Sequence, residues 1–126
     1  MQDYKQYGAL ALAYMGDSVY ELIVRKRLME KGNSTVNSLH RKAKAYVSAP
    51  AQSKIFEILQ PNLTEEELAV FRRGRNSKPH TTAKNATTGD YSRATGLESL
   101  FGYLFLTENF DRLKTLENII FTEFPV

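Results

Sequence analysis

The sequence predicts an all-α fold, and three observations support this prediction. Apolar residues recur at helical spacing along most of the chain. The one short apolar run that would suit a strand, YLFL at 103–106, lies inside a longer helical pattern. No proline precedes Pro50, so a long initial stretch is free of helix breakers. With 126 residues, 42% hydrophobic and 25% charged, we expect one globular domain of about six helices spanning residues 1–126.

Capping and stop signals delimit the first three predicted helices, which cover residues 8–31, 36–46 and 48–59. Gly32 ends the first helix, and Ser34 or Thr35 caps the second. Pro50 falls in the first turn of the third helix, where a missing N–H costs little, and Pro61 follows its end.

The last three predicted helices cover residues 65–73, 94–107 and 109–123. Thr64 followed by Glu67 is a capping box for the fourth helix. The intervening segment 73–93, RGRNSKPHTTAKNATTGDYSR, is polar, basic and rich in Thr, Asn and Gly. It predicts a long loop with at most a helical turn, and loops of this length in compact domains are often functional.

Composition excludes several classes of protein. The chain has no cysteine, which excludes disulfide scaffolds, thiolate metal sites and cysteine nucleophiles and fits a reducing compartment. No uncharged apolar run reaches 18 residues, and the N-terminus, MQDYKQYG, lacks a signal-peptide pattern. We expect a cytoplasmic protein with no membrane association.

Basic residues are concentrated in two blocks, although the net charge is only +3. Residues 25–46 contain seven basic residues and one acid, and residues 72–93 contain six basic residues and one acid. The rest of the chain is therefore acidic. Two basic blocks on an acidic body are typical of a polyanion-binding face, while solvated helix faces are the simpler alternative.

Two acids stand among apolar residues on predicted helices. The first of these helices, at 8–31, has no single polar face, so we expect it to be covered on most of its sides. Asp17 follows Gly16 in ALALAYMGDSVYELIV, and Glu98 lies between Gly96 and Gly102 in ATGLESLFGYLFL. A buried ionised carboxylate is costly unless it has partners. Each acid could cap a helix or pair with an arginine, or the two together could bind a hard cation such as Mg²⁺ or Mn²⁺. Their positions along the chain do not determine whether they meet.

Four stretches resemble a known family. YMGDSVYE (14–21) resembles the signature helix of ribonuclease III catalytic domains, and LESLFGYLFL (97–106) resembles that family's second acidic helix. LHRKAKAYVSAPAQ (39–52) and EEELAVFRRGRNSK (65–78) are similar to Mini-ribonuclease III, a short bacterial subfamily made of the catalytic domain alone. The resemblance extends from about residue 7 to residue 124.

This resemblance implies an all-α two-fold homodimer that cleaves double-stranded RNA with Mg²⁺, for which Mn²⁺ could substitute. Asp17 and Glu98 would be the catalytic, metal-binding carboxylates. The natural substrate would be precursor 23S ribosomal RNA, and we expect no separate RNA-binding domain. Longer family members have two further carboxylates, at positions occupied here by Ala13 and Thr95, so the number of ions per site stays open.

Duplex RNA is recognised mainly through its shape, phosphates and 2′-hydroxyl groups, a task that suits the basic blocks. The predicted RNA-facing region is the loop at about 74–93 with the preceding helix end, together with the basic helix at 36–46. The candidate RNA-binding residues are Arg41, Lys42, Lys44, Arg72, Arg73, Arg75, Asn76, Lys78 and Lys84.

Other polar and aromatic residues receive secondary predictions. Glu21 is expected to pair with Arg25, with assistance to the metal through a water as the alternative. His40 is expected to contact phosphate or solvent and His80 to touch RNA, neither as a proton-transfer group. Tyr14 and Tyr20 could supply a dimer surface or belong to the core.

Two other functions remain open from the sequence. The first is a non-catalytic homodimer that binds double-stranded RNA on the same fold, suggested by Ala13 and Thr95. The second is a small helical protein-interaction module whose basic blocks are only solvated faces.

Overall fold

Helices form the whole framework of the protein. A computed structural model describes residues 3–77 and 87–124. Within these ranges there is no strand, and the all-α prediction is confirmed. The six α-helices are α1 (Ala9–Glu30), α2 (Val36–Val47), α3 (Ala49–Leu59), α4 (Glu65–Arg75), α5 (Thr88–Leu106) and α6 (Phe110–Glu123). Two short 3₁₀ segments, Tyr4–Gln6 and Gln60–Asn62, accompany them.

Side-chain caps fix four of the α-helix starts in the described residues, and the sequence predicted two of these caps, at α2 and α4. Thr35 and Ser48 each accept a hydrogen bond from the backbone N–H three residues later. Thr64 and Glu67 form the complete capping box of α4, with the Thr64 N–H donating to Glu67 at 2.9 Å. Because these signals are local, the first four helices begin within about one residue of their predicted positions.

The predicted loop at 73–93 was too long. Helix α4 continues to Arg75, and α5 begins at Thr88, six residues before the predicted start at Ala94. Thr87 caps α5 by accepting a hydrogen bond from the Asp90 N–H, and an acid in the first turn stabilises a helix start. Asp90 also pairs with Arg93 at 3.0 Å. Lys78, His80 and Lys84 lie outside the described residues.

Helix α5 is the central element of the core. It packs against α1, α3, α4 and α6. Its apolar side chains meet those of α1 and α6 in a continuous cluster of fully buried residues, which includes Val24, Leu97, Leu100, Phe101, Leu116 and Ile120. A central helix buried on several sides explains why α5 reads as apolar in every direction.

Helix α1 is less covered than its sequence suggested. We expected partners on most of its sides, but Leu10, Tyr14 and Leu22 are exposed, Tyr14 to 83%. Asp17 lies on this outer face and is exposed as well. Tyr20 belongs to the core, where it is 1% exposed and donates a hydrogen bond to the Tyr46 carbonyl oxygen at 2.7 Å.

Glycines allow α1 and α5 to cross at very short range. A methyl group added at Gly16 would collide with the backbone carbonyl of Glu98, and one added at Gly102 would collide with that of Leu12. The two helix backbones are therefore in direct contact. This crossing places Asp17, the residue after Gly16, beside Glu98.

No helix in the described ranges has the length and apolar character needed to cross a membrane.

Candidate active site

A cleft of about 390 Å³ opens where α1 and α5 cross beside the junction of α2 and α3. Asp17 from α1 and Glu98 from α5 both line it. Its walls also include Leu10, Ala13, Tyr14, Gln52, Tyr91 and Thr95. The two acids predicted from sequence are thus brought together in one accessible site.

Asp17 and Glu98 are neighbours in this cleft, close enough for the charge of one carboxyl group to act on the other. Glu98 is half-buried, whereas Asp17 is exposed. Burial, followed by the negative charge of Asp17, raises the pKa of Glu98 to about 8. Two neighbouring carboxylates repel each other, so the pair is stabilised by a shared proton or by a cation between them.

Within residues 3–77 and 87–124, neither acid forms an ion pair with lysine or arginine. The alternative in which each acid has its own arginine therefore does not hold for the described part of the chain. In the same ranges, no group of three or more His, Cys, Asp or Glu side chains is placed to hold a metal. The donor set for a cation is the carboxylate pair, which leaves several coordination positions to water or a ligand, as Mg²⁺ favours.

Ala13 and Thr95, the two positions at which the resemblance would have implied further acids, stand in the wall of this cleft. Both are buried, at 7% and 8% exposure. The Thr95 hydroxyl donates to the Tyr91 carbonyl oxygen at 3.0 Å, within α5 itself. At position 95, a threonine that hydrogen-bonds within its own helix thus stands in place of a carboxylate.

Sequence reasoning missed Gln52, which lies on α3 and contacts Glu98. Its Nε2 donates to Glu98 Oε2 at 3.4 Å and to the Val47 carbonyl oxygen at 3.1 Å. The side chain is only 3% exposed. The available signal was a polar residue on the buried face of a helix, between Ala51 and Ile55.

Glu21 forms the predicted salt bridge with Arg25 at 2.9 Å. It is nevertheless close to the site, because its charge contributes to the raised pKa of Glu98, after burial and the effect of Asp17. The predicted pairing is confirmed, and Glu21 adds negative potential around the carboxylate pair.

The predicted RNA-binding residues that the structure describes are all on the surface: Arg41, Lys42, Lys44, Arg72, Arg73, Arg75 and Asn76. Arg73 has a structural partner too, because its guanidinium donates to the backbone carbonyl oxygens of Lys5 and Tyr7 at 3.1 and 2.6 Å. The Arg75 guanidinium donates to Asn76 Oδ1 at 3.2 Å. His40 is exposed on α2 and does not line the cleft.

The six-helix domain, with its glycine crossing and paired acids, defines the class of protein: residues 10–109 match the ribonuclease III domain family. A Mini-ribonuclease 3 from Enterococcus faecalis is 50% identical over 120 residues, which cover 94% of this chain and 91% of that protein. The Streptococcus pneumoniae Mini-ribonuclease 3 is 42% identical, over 92% of each. A crystal structure of a Fusobacterium nucleatum protein superimposes with a TM-score of 0.86 at 31% identity, covering 98% of both chains. The chain belongs to the Mini-ribonuclease III family and is an endoribonuclease.

Proposed function

We propose that this chain is a Mg²⁺-dependent endoribonuclease that cleaves double-stranded RNA as a homodimer. Asp17 and Glu98 bind the ion and are the catalytic residues. The observation that supports this most directly is the convergence of the two acids in one open cleft, without a lysine or arginine partner in the described ranges.

The two acids have distinct tasks in this mechanism. Exposed Asp17 is accessible to an entering phosphate, whereas half-buried Glu98 is held from behind by Gln52. Asp17 and Glu98 would hold the divalent ion, which would supply an activated water and offset the negative charge that develops in phosphodiester hydrolysis. The residues fit this ion because oxygen donors are what Mg²⁺ prefers, and Mn²⁺ accepts the same set.

The substrate class follows from charge as well as from family. The α2 basic residues and those at the end of α4 are exposed and carry no carboxylate partner in the described ranges. Cationic side chains of this kind bind phosphates without reading base sequence, which suits an RNA duplex. Lys78 and Lys84 lie outside the described residues, and we include them among the proposed RNA-binding residues only because of their position in the sequence.

Dimer formation is proposed through the outer face of α1. Leu10 and Tyr14 belong to the cleft wall, but Leu22 and Met29 expose apolar surface further along this helix, outside the cleft. A second copy would cover Leu22 and Met29, leave the cleft open, and set two clefts against the two strands of a duplex. Leu22→Glu should shift the mass measured by light scattering toward the monomer, whereas Phe110→Glu, at another exposed apolar residue on α6, should not. A monomeric wild-type protein would contradict the proposal.

The decisive experiment uses a long RNA duplex, purified protein and either Mg²⁺ or EDTA. Cleavage should require Mg²⁺ and should disappear in Asp17→Asn and in Glu98→Gln, while duplex binding persists. Glu57→Gln, an exposed carboxylate on α3 outside the cleft, is the matched control and should retain full activity. Cleavage that survives Asp17→Asn would overturn the metal-carboxylate mechanism. Salt-sensitive binding without cleavage by the wild type would favour the non-catalytic RNA-binding alternative.

We further propose precursor 23S ribosomal RNA as the natural substrate, on the resemblance to Mini-ribonuclease III. A transcript carrying the paired ends of this precursor should be cut at discrete positions and faster than an unrelated duplex of equal length. Equal cleavage rates for the two RNAs would contradict precursor 23S ribosomal RNA as the natural substrate but not the general activity on double-stranded RNA.

A further inference from the structure

Gln52 is a buried side-chain amide whose hydrogen bonds are only partly satisfied, which is unusual for a residue that serves packing alone. The side chain is almost completely buried on α3, at the back of the cleft that contains Asp17 and Glu98. Burying an amide costs free energy unless its hydrogen bonds are satisfied. Of its polar atoms, Nε2 has two acceptors, while Oε1 is buried and has no hydrogen-bond partner within the described residues.

The orientation of this amide is determined by its neighbours. Nε2 donates to the Val47 carbonyl oxygen, in the last residue of α2, and to the Glu98 carboxylate. Reversing the amide would place Oε1 against these two oxygens, and three acceptors would face one another. The bond to Val47 therefore fixes the N–H that points at Glu98.

We propose that Gln52 is a positioning residue for the active site, which holds the Glu98 carboxylate in the orientation needed to bind the divalent ion. This inference rests on the proposed function. Residues that hydrogen-bond a metal ligand restrict its rotamers and keep its lone pairs directed at the ion.

The arrangement explains why α3 carries a buried amide at this position rather than an apolar residue. Its neighbours Ala51 and Ile55 pack in the interior, and methionine would fill a similar volume without unsatisfied polar atoms. A buried acceptor without a partner lowers stability. Its presence beside the Asp17–Glu98 carboxylate pair is the reason to assign it a functional task.

The test compares Gln52→Met with Ser99→Ala. Methionine has nearly the same volume as glutamine and removes both the donor and the acceptor. Ser99 is a suitable control because it is adjacent to Glu98, 0% exposed, and donates to the Ala9 and Thr95 carbonyl oxygens at 2.9 Å each. It does not line the cleft. Both variants lose buried hydrogen bonds, but only Gln52→Met loses a hydrogen bond to the Glu98 carboxylate.

Mn²⁺ affinity of the full chain, measured by calorimetry without RNA, is the first readout. Gln52→Met should weaken the affinity by about 10- to 100-fold, the usual effect of losing a partner of a metal ligand. It should also lower kcat with little change in the KM for duplex RNA. Ser99→Ala should lower the melting temperature in EDTA yet bind Mn²⁺ as the wild type does. Unchanged Mn²⁺ affinity in Gln52→Met overturns the proposal.

A second measurement needs no substitution. In the wild-type chain, the side-chain amide resonance of Gln52 should shift on addition of Mg²⁺ and saturate together with ion binding. A resonance that stays fixed while the ion binds overturns the positioning role even if Gln52→Met does not fold. If the wild type binds no divalent ion, this inference and the proposed function both fail. If the wild type and Gln52→Met bind the ion equally well, the positioning role of Gln52 is refuted while the proposed function stands.

Discussion

Replacing Gly16 by alanine tests whether the α1–α5 crossing creates the active site. The added methyl group would overlap the backbone carbonyl of Glu98 and approach the Gly102 backbone N. Backbone atoms of a buried helix cannot rotate away as a side chain can. The helices must therefore separate, by on the order of 1–2 Å, to restore ordinary van der Waals contact.

The expected cost combines two opposing effects. Overpacking a core costs about 1–3 kcal/mol and occasionally more, and this site should be near the upper end because the contact is between backbones. Alanine regains about 1 kcal/mol of helix propensity relative to glycine. We therefore expect Gly16→Ala to lower the free energy of unfolding by about 2 kcal/mol or more.

Urea denaturation followed by circular dichroism measures this difference, and Gly89→Ala is the matched control. Gly89 is also a helical glycine, in the first turn of α5, but a methyl group there would meet only the Arg93 guanidinium at ordinary contact distance, 3.5 Å. Its substitution should leave stability unchanged or slightly increased. Gly16→Ala should in addition lower Mn²⁺ affinity, because separation of the helices moves Asp17 from Glu98. A Gly16→Ala variant as stable as the wild type would refute the reasoning.

Three further predictions concern charge. Glu98→Gln should unfold at the same temperature as the wild type or higher, measured in EDTA by calorimetry above pH 8, where Glu98 is charged and its repulsion with Asp17 is removed by the substitution; a clear loss of stability there would contradict this. Glu67→Gln should lower the free energy of unfolding by about 2–3 kcal/mol, because Glu67 accepts two hydrogen bonds from Arg112, at 2.7 and 2.8 Å. Burial opposes the charge of Glu67, but the hydrogen bonds from Arg112 and the Thr64 backbone outweigh it, so its pKa lies below the ordinary 4.5. The stabilisation that charged Glu67 gives the folded protein is therefore complete above pH 4.5 and is lost as the pH falls through the lowered pKa. The difference in the free energy of unfolding between Glu67→Gln and the wild type, measured by urea titration, should accordingly shrink in acid. Replacing all three basic residues of α2 by alanine should weaken duplex binding and make the plot of log K against log salt shallower by about 2–3, in filter-binding assays; an unchanged slope would place RNA elsewhere.

The fold was largely predictable because its helix boundaries depend on local chemistry. Thr35, Ser48 and the Thr64–Glu67 capping box act within one turn of chain, so they can be recognised without tertiary information. The start of α5 was missed for a related reason. Thr87 and Asp90 are also a cap and a first-turn acid, but they stand in a polar, glycine-containing stretch that is equally typical of a loop.

The sequence singled out the two acids that line the cleft, but it did not predict their surroundings. Apolar neighbours on both helices, and the resemblance, singled out Asp17 and Glu98. The same apolar pattern led to the wrong expectation that α1 is covered on most sides. Hydrophobic periodicity cannot distinguish a face packed against the core from one that is apolar and exposed, such as Tyr14 at 83% exposure. The role of Gln52 depends on α3 approaching α5, which no local signal determines.

The cleft also explains why this chain has no third carboxylate at position 13 or 95. A third acid at Ala13 or Thr95 would stand in a buried wall beside Glu98, whose pKa is already raised to about 8 by burial and by Asp17. Each added negative charge there raises the free energy of the ion-free protein. Keeping Ala13 apolar, and the Thr95 hydroxyl bonded to Tyr91, avoids that cost. In the proposed enzyme, two carboxylates alone would bind the ion weakly, so phosphate oxygens of the RNA would be needed as further ligands and ion binding would be coupled to substrate binding.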